Sequence, residues 1–510
     1  MADGLLNKAS IILTPTGYKA GTLYNVAPVV EPYEDFDFAR ASVASRVNSS
    51  GLVEMVGRTL SSELVTNGDF DTDSNWTLTQ ATISNGVASF ATTDGSFAGI
   101  RQNVFTTGKT YLISLDVSDL VGTAEVNTNG GTSIGLDITT NGTKSFYMKA
   151  ENTDIEIKRK FGQTNVSATI DNVSVKEVID TNNIPRISYD SNGDNGHILL
   201  EPTSTNLVGY SLPNDTNWSK GSNTTITENY AVSPDGTQNA SRFVMPTGSG
   251  TYAYYQFTAT STTDHTLSFY AKNNGGDADV TMAFFVASQT QNITLTNEWQ
   301  RFEFTTSITS GNAVQVGVDN ITSVDMLIYG VQCEALSYAT SYIPTLTGST
   351  VTRATETLTG SGNSTLINST EGVLYAEIAA LADSLNYRFI TISDGTSNNR
   401  IYLRYTNISN QIDVSILVGG VQSYAATHNL LSSIVYNKIA LKWKLNDFAI
   451  WVNGVEVSTN NSNITFPANT LNKINFSNEL GTTFRFEGKC KALAVFNEAL
   501  SDAELNNLTG

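Results

Sequence analysis

Apolar and polar residues alternate along most of the chain in short runs rich in Val, Ile, Thr, Tyr and Phe. Clusters of Asn, Gly, Asp and Ser separate these runs at short intervals. A period of two puts successive side chains on opposite faces of a strand, so the pattern predicts half-buried strands in antiparallel sandwiches. Long stretches with a helical period are missing, which argues against a doubly wound α/β fold. The clearest segment is KIALKWKLNDFAIWVNGVEV. Ile439, Leu441, Trp443 and Leu445 alternate there with Ala440, Lys442 and Lys444. Asn446-Asp447 predicts a two-residue turn that pairs Leu445 with Phe448, Trp443 with Ile450 and Leu441 with Val452. Asn453-Gly454 predicts a second turn that brings Val455 and Val457 to the same face. The opposite face then holds Lys442, Trp451 and Glu456 side by side. Near the C-terminus, Ser501 and Glu504 form a capping box, which predicts a short helix from about Asp502 to Leu508. So short a helix is stable only when packed, here through Leu505 and Leu508 on the last sandwich.

The chain also repeats itself. LVTNGDFDTDSNW runs from Leu64 to Trp76, and LVGYSLPNDTNW from Leu207 to Trp218. The first repeat closes with IDNVSVKEV and the second with IYGVQCEAL, matching Ile170 with Ile328, Val173 with Val331 and Val175 with Cys333. Two related sandwiches are expected, at 64–178 and 207–345. A Thr-, Gly- and Ser-rich stretch reads as a linker. The expected organisation is all-β: an extended N-terminal arm (1–63), a first sandwich (64–178), a connector (179–206), a second sandwich (207–345), a linker (346–362) and a third sandwich (363–510).

Composition narrows the function. The 510 residues include 48 acidic against 29 basic, a net charge of −19. Binding nucleic-acid phosphates or anionic lipid needs clustered Lys and Arg, so neither is expected as a partner. No run of about 18 apolar residues predicts a membrane span. The N-terminus lacks a secretory apolar core, which predicts synthesis in a cytoplasm. Two cysteines and three histidines exclude a disulfide-stapled scaffold and leave little for metal or acid–base chemistry. Cys333 and Cys490 lie in strand-like stretches and read as buried, reduced thiols. No nucleophile motif or phosphate-binding Lys-Ser/Thr loop occurs, so no catalytic residue is nominated. Exposed aromatics are the natural sugar-binding groups, because a flat ring stacks on the apolar face of a pyranose. The candidates are Trp76, Trp218, Trp299, Trp451 and the cluster Tyr252, Tyr254 and Tyr255. Trp76, Trp218 and Trp299 sit where core aromatics are expected. Trp451 falls on the polar face. There Lys442 covers it by a cation–π contact, or it is open as a ligand platform or subunit interface, with Glu456 alongside.

Two blocks, FDFARASVASRVNSSGLVEMV (Phe36 to Val56) and NIPRISYDSNGDNGHILLEPTSTNLVGYS (Asn183 to Ser211), resemble a motif of phage tail-fibre and appendage proteins. In that family the two blocks are often close neighbours, so 64–178 reads as an insertion. The openings NGDF…NW with the closing IDNVSVKEV resemble carbohydrate-binding modules of the galactose-binding jelly-roll type. WKLNDFAIWVNGVEV and LAVFNEALSDAEL resemble concanavalin-like, laminin-G-like sandwiches. The resemblance implies a virion appendage, commonly an oligomer and often a trimer, and without a catalytic constellation it is expected to be non-enzymatic. It would be anchored to other virion proteins by its N-terminal arm and attach to the host surface, with glycan as the expected ligand. The alternatives are a head fibre or decoration protein without a receptor role, and a polysaccharide depolymerase, which would need a carboxylate pair across a cleft. Galactose-binding-type modules often carry a structural calcium. By that resemblance its ligands here are Asp71 and Asp171, with Asp69 as a further candidate. Alternating carboxylates suit a hard cation, and otherwise they are solvated turn residues. The second repeat has Tyr329 where the first has Asp171, so the calcium site is expected in the first sandwich alone.

Overall fold

The computed structural model describes residues 4–27, 34–128, 136–247, 251–275, 280–286, 289–320, 323–383 and 386–510. Their regular secondary structure is almost wholly antiparallel strand, as the alternation predicts. The repeat holds strand by strand. One sheet of the first sandwich runs Leu136–Ile138, Ala124–Thr128, Asp154–Arg159, Gly99–Asn103, Thr77–Thr79. Its counterpart in the second runs Gln289–Leu295, Val280–Val286, Ala313–Asn320, Tyr252–Thr258, Ser219–Lys220. The facing sheets correspond in the same way, around Val166–Asp180 in the first and Val324–Glu334 in the second. Each pair of sheets encloses its own apolar core. Trp76 and Trp218 are core residues in matching places. Each indole N–H donates to a backbone carbonyl, of Asn67 at 2.9 Å and of Tyr210 at 3.0 Å. The closing strands even bulge at the same point, at Asn172 and Gly330, both left-handed at φ 51° and 67°.

The third sandwich has an eight-stranded sheet against a five-stranded one. Three of those eight strands come from outside 363–510. Ala9–Leu13, Ile187–Ser188 and His197–Leu200 extend the sheet beyond Gly488–Phe496. The N-terminal segment is therefore not a free arm. Its apolar residues are the reason: Ile11, Leu13, Leu23, Phe36 and Phe38 belong to the core of the third sandwich. The stretch at 346–362 is not a slack linker either. Val351–Arg353 pairs with Ser204–Asn206, and Thr357–Thr359 pairs with Phe36–Ala39.

These segments meet around a buried ionic network. Arg40, Arg186 and Arg353 oppose Glu201, Glu334 and Glu356, and each of the six is at most 3% exposed. Glu356 bonds Arg40 at 2.6 Å and Arg186 Nε at 2.8 Å. Glu201 lies 2.8 Å from Arg186 and from Arg353, and takes two bonds from Ser341. Glu334 accepts from Ser204 and Gln332 at 2.6 Å. Charges buried this deeply are costly unless paired or hydrogen-bonded, and here arginines hold Glu201 and Glu356 while Ser204, Gln332 and Thr340 hold Glu334. The first sandwich sits outside this hub. Its two ends zip together where Arg58–Leu60 pairs with Val178–Asp180.

The Lys438–Val457 hairpins keep the expected faces but not the expected register. Leu441 pairs with Ile450 and Ile439 with Val452, a slip of two residues produced by a longer turn closed by the Asp447 N–H to the Lys444 carbonyl. A slip of two preserves every face, so Leu441, Trp443, Ile450 and Val452 remain in the core. The Asn453-Gly454 turn forms as expected, pairing Val452 with Val455. Val455 is exposed, against expectation, while Val457, at a bulge beside Trp451, still packs on the core. The C-terminal helix spans Asp502–Thr509 with the full capping box, and buries Leu505 and Leu508.

Candidate functional site

The outer face of the eight-stranded sheet offers no open platform. Trp451 is 8% exposed and lies in a small second core with Leu5, Ala9, Ile12, Leu505 and Leu508. The N-terminal segment and the C-terminal helix cover it from outside. The surface reading of Trp451 thus fails, because its face is polar at Lys442 but is filled by apolar residues brought from both chain ends. Lys442 is buried to 3% exposure and bonded to Asp447 at 2.7 Å and Asp502 at 3.3 Å. Glu456 is exposed, opposite Trp451 across the bulged hairpin. The expected trio is therefore divided between a core, an ion pair and a rim.

The carboxylates of the first sandwich are equally dispersed. Asp69 and Asp71 are exposed in the opening loop, with the Asp71 N–H reaching the Asp69 carboxylate at 3.5 Å. Asp171 accepts from the Asn172 N–H at 2.7 Å. No group of three or more His, Cys, Asp or Glu gathers in metal-binding geometry among the described residues. Trp299 is half-buried beneath Lys272, whose ammonium lies 5.4 Å from the ring. Cys333 and Cys490 are fully buried free thiols, and burial pushes both well above the ordinary thiol range, so neither is a poised nucleophile. Burial likewise takes His197 down to about 4, leaving it neutral near pH 7.

Tyr252 and Tyr254 are placed differently. Their strand alternates in and out. Ala253 is in the core with Tyr255 packed against it, while Tyr252, Tyr254 and Gln256 point outward. The two rings stack with centroids 5.8 Å apart and planes inclined by 29°. Across the sheet the same face carries Asp319 opposite Tyr252 and Gly317 opposite Tyr254. A Cβ on Gly317 would stand 2.7 Å from the Tyr254 Cα, so glycine lets Tyr254 lie close over the neighbouring strand. Beyond it, Gln315 donates to Gln256 at 3.1 Å. The result is a flat aromatic strip with an exposed carboxylate on one side and an amide pair on the other. Such a strip can stack an apolar ring face while its flanks bond hydroxyls.

Sequence reasoning missed a largely buried cluster of aromatic rings capped by a guanidinium. On the outward face of the five-stranded sheet, the Arg404 guanidinium lies 4.3 Å from the Tyr387 ring centre, 4.9 Å from that of Tyr402 and 5.0 Å from that of Phe389. It is held there by a two-pronged bond to Asp413, at 2.5 and 2.6 Å. The signal was present in RFITIS and RIYLRY, whose alternate positions put Phe389, Tyr402 and Arg404 on the face opposite the core.

Residues 380–506 match the laminin G family described as the concanavalin A-like lectin/glucanases superfamily. The C-terminal unit is a concanavalin-like domain. Solved structures similar to parts of the chain include the CBM40 of the Ruminococcus gnavus IT-sialidase, at 17% identity over 30% of this chain and 94% of that one, with a TM-score of 0.26. The tandem CBM22-1-CBM22-2 domain of Paenibacillus barcinonensis Xyn10C matches at 10% identity over 54% of this chain and 98% of that one, with a TM-score of 0.21. The NanB sialidase of Streptococcus pneumoniae matches at 19% identity over 29% of this chain and 25% of that one, with a TM-score of 0.26. No curated protein sequence matches the chain.

Proposed function

We propose that the protein binds glycans without cleaving them, through the Tyr252–Tyr254 face, as an appendage of a phage particle that attaches to a host surface. The observation that carries the binding reading is the stacked, outward tyrosine pair between Asp319 and the Gln256–Gln315 pair. The concanavalin-like domain at the C-terminus supports the same glycan-binding reading. The virion reading is supported by the tail-fibre-like blocks at 36–56 and 183–211. A homotrimer displayed on the particle, held to other virion proteins through its N-terminal segment, completes this reading.

The test is a glycan array probed with the full chain and with its Tyr252→Ala/Tyr254→Ala variant. Binding that falls at least tenfold in the variant, with an unchanged melting temperature, is the expected result. Equal binding by both proteins overturns the reading, and release of reducing ends from a bound polysaccharide overturns its non-catalytic part. Gold-labelled antibody on purified particles and native mass measurement check the location and the trimer.

A further inference from the structure

The sheet that carries Tyr252 and Tyr254 is almost without charge. Its strands Tyr252–Thr258, Ala313–Asn320, Val280–Val286 and Gln289–Leu295 hold one charged residue between them, Asp319. The fifth strand, Ser219–Lys220, adds Lys220, but that residue stands opposite the core residue Ala253 and pairs with Asp215. Other carboxylates of the second sandwich have partners. Asp325 takes a two-pronged bond from Arg242, and Asp264 accepts from Ser307. Asp319 differs: it is exposed and has no ion pair or hydrogen bond among the described residues.

The place of this carboxylate matters. Asp319 stands directly opposite Tyr252 on the outward face. Side chains opposed in this way have Cβ atoms about 5 Å apart, so the carboxylate and the ring border the same small space. Tyr252 is 37% exposed, which leaves its ring open to a ligand. An aromatic ring attracts a cation, and a carboxylate beside it adds a charge-assisted hydrogen bond. The far end of the face is chemically different. Gln256 lies about 13 Å along the strand from Tyr252, and its amide pair with Gln315 offers donors and acceptors without charge. One end of the face fits an ammonium, the middle fits a sugar ring, and the far end fits hydroxyl or amide groups. A polyanion meets the like charge of Asp319 and no cation that would hold it.

We infer that this face selects an amino sugar: an otherwise uncharged glycan with a free ammonium at the Asp319–Tyr252 end and a neighbouring ring stacked on Tyr254. The inference deepens the glycan-binding reading of the same face and rests on it.

The probes are short chitin-type oligosaccharides of N-acetylglucosamine and the same chains with a single residue de-N-acetylated. Neutral glucan and uronic-acid oligosaccharides of equal length stand beside them, and all are titrated into the full chain. The single-amine chain is expected to bind about fivefold more tightly than its acetylated parent, the size of one exposed ion pair. That advantage is expected to shrink as salt rises. Asp319→Asn is expected to abolish the advantage with an unchanged melting temperature, and Tyr252→Ala/Tyr254→Ala to lose both chains. An acetylated, neutral or uronic-acid chain that binds as tightly as the amine overturns the inference and leaves the tyrosine face standing. An amine preference that survives Asp319→Asn also overturns it, because the preference then comes from the net charge of −19 rather than from this face. Binding that ignores the tyrosine variant, or no glycan binding at all, overturns the reading of the face itself and the inference with it.

Discussion

The first and second sandwiches share a scaffold and differ in almost every outward residue of one strand. Inward, Ile100 pairs with Ile157 where Ala253 pairs with Val318, and all four are core. Outward, Gly99, Arg101 and Asn103 stand opposite Lys158, Glu156 and Asp154, where the second sandwich sets Tyr252, Tyr254 and Gln256 opposite Asp319, Gly317 and Gln315. The first face is ionic: Lys158 pairs with Glu156 at 2.6 Å and Asn103 bonds Asp154 at 3.0 Å. The second is aromatic. Core alternation dictates the scaffold, so outward positions are free to diverge, and fold alone does not carry function. The sandwiches also differ in attachment. The second supplies Glu334, Gln332, Thr340 and Ser341 to the buried ionic hub, whereas the first is joined through its ends.

The sharpest way to break this comparison is to strike the hub. Glu356→Ala leaves Arg40 and Arg186 buried without their main partner, which costs about 3–5 kcal/mol. Amide exchange is expected to accelerate through Val351–Arg353, Ser204–Asn206 and the second sandwich, while Gly99–Asn103 and Asp154–Arg159 keep their protection. Equal loss in both sandwiches would show that the first depends on the hub too. Acid strikes the same place. Burial alone would raise the Glu201 carboxyl, but the Arg353 and Arg186 guanidinium groups outweigh it and hold the carboxyl well below its usual 4.5. Its stabilisation is therefore complete above that value and is lost as pH falls through the range below it, toward the folded pKa. Urea midpoints measured downward from pH 5 are expected to fall faster for the second sandwich than for the first.

How much of this was legible in the sequence follows from the range of each interaction. Strand alternation is local, so the all-β fold, the repeat and the inward set around Trp76, Trp218 and Trp443 could be read directly. The helix at Asp502–Thr509 was legible because a capping box is a four-residue signal. The burial of Trp451 was not, because its cover comes from Leu5 and Ile12, more than four hundred residues away in sequence. The hub was hidden for the same reason. Arg40, Arg186, Glu201 and Glu356 read singly as surface charges, and pairing alone makes their burial tolerable. Tyr252 and Tyr254 were legible as a pair on one face, since positions two apart share a side of a strand.

On the binding face the expected effect is smaller but more selective. Tyr254→Ala is expected to lower glycan affinity about tenfold, close to 1.4 kcal/mol, with little change in melting temperature. Gly317→Ala should separate affinity from exposure. The new Cβ would stand 2.1 Å from the Ala253 carbonyl oxygen and 2.8 Å from the Tyr254 Cβ, so the two strands must part there and carry the ring with them, at a stability cost of about 1–3 kcal/mol. In the first sandwich Glu156 stands opposite Arg101 at the matching place, and the close approach falls at Gly99 instead, where a Cβ would stand 2.5 Å from the Ile157 carbonyl oxygen. A Gly317→Ala protein that binds as tightly as the parent would show that the stacked pair is not the recognition surface.

The smallest difference lies at the shared bulge, where Asp171 in one sandwich corresponds to Tyr329 in the other. Tyr329 is buried between Tyr342 and Tyr270, and its hydroxyl donates to Asp235 at 3.1 Å. Tyr329→Phe keeps the packing and removes that bond, at a cost of about 1 kcal/mol in the second sandwich. Asp171 is half-buried at the edge of the opening loop, with its carboxylate on a neighbouring backbone N–H. Asp171→Asn keeps an acceptor there, so its effect should stay within about 0.5 kcal/mol. Calorimetric melts of both variants, with calcium and with chelator, check the pair together. A calcium-dependent rise in melting temperature that Asp171→Asn abolishes would make this carboxylate a metal ligand. It would also mean that the bulge does different work in the two sandwiches, a cation clasp in the first and an aromatic wedge against the hub in the second. Melts that ignore calcium leave the wedge as the single specialised use of this bulge. In that case the second sandwich alone adapted a scaffold feature to its fixed place in the molecule.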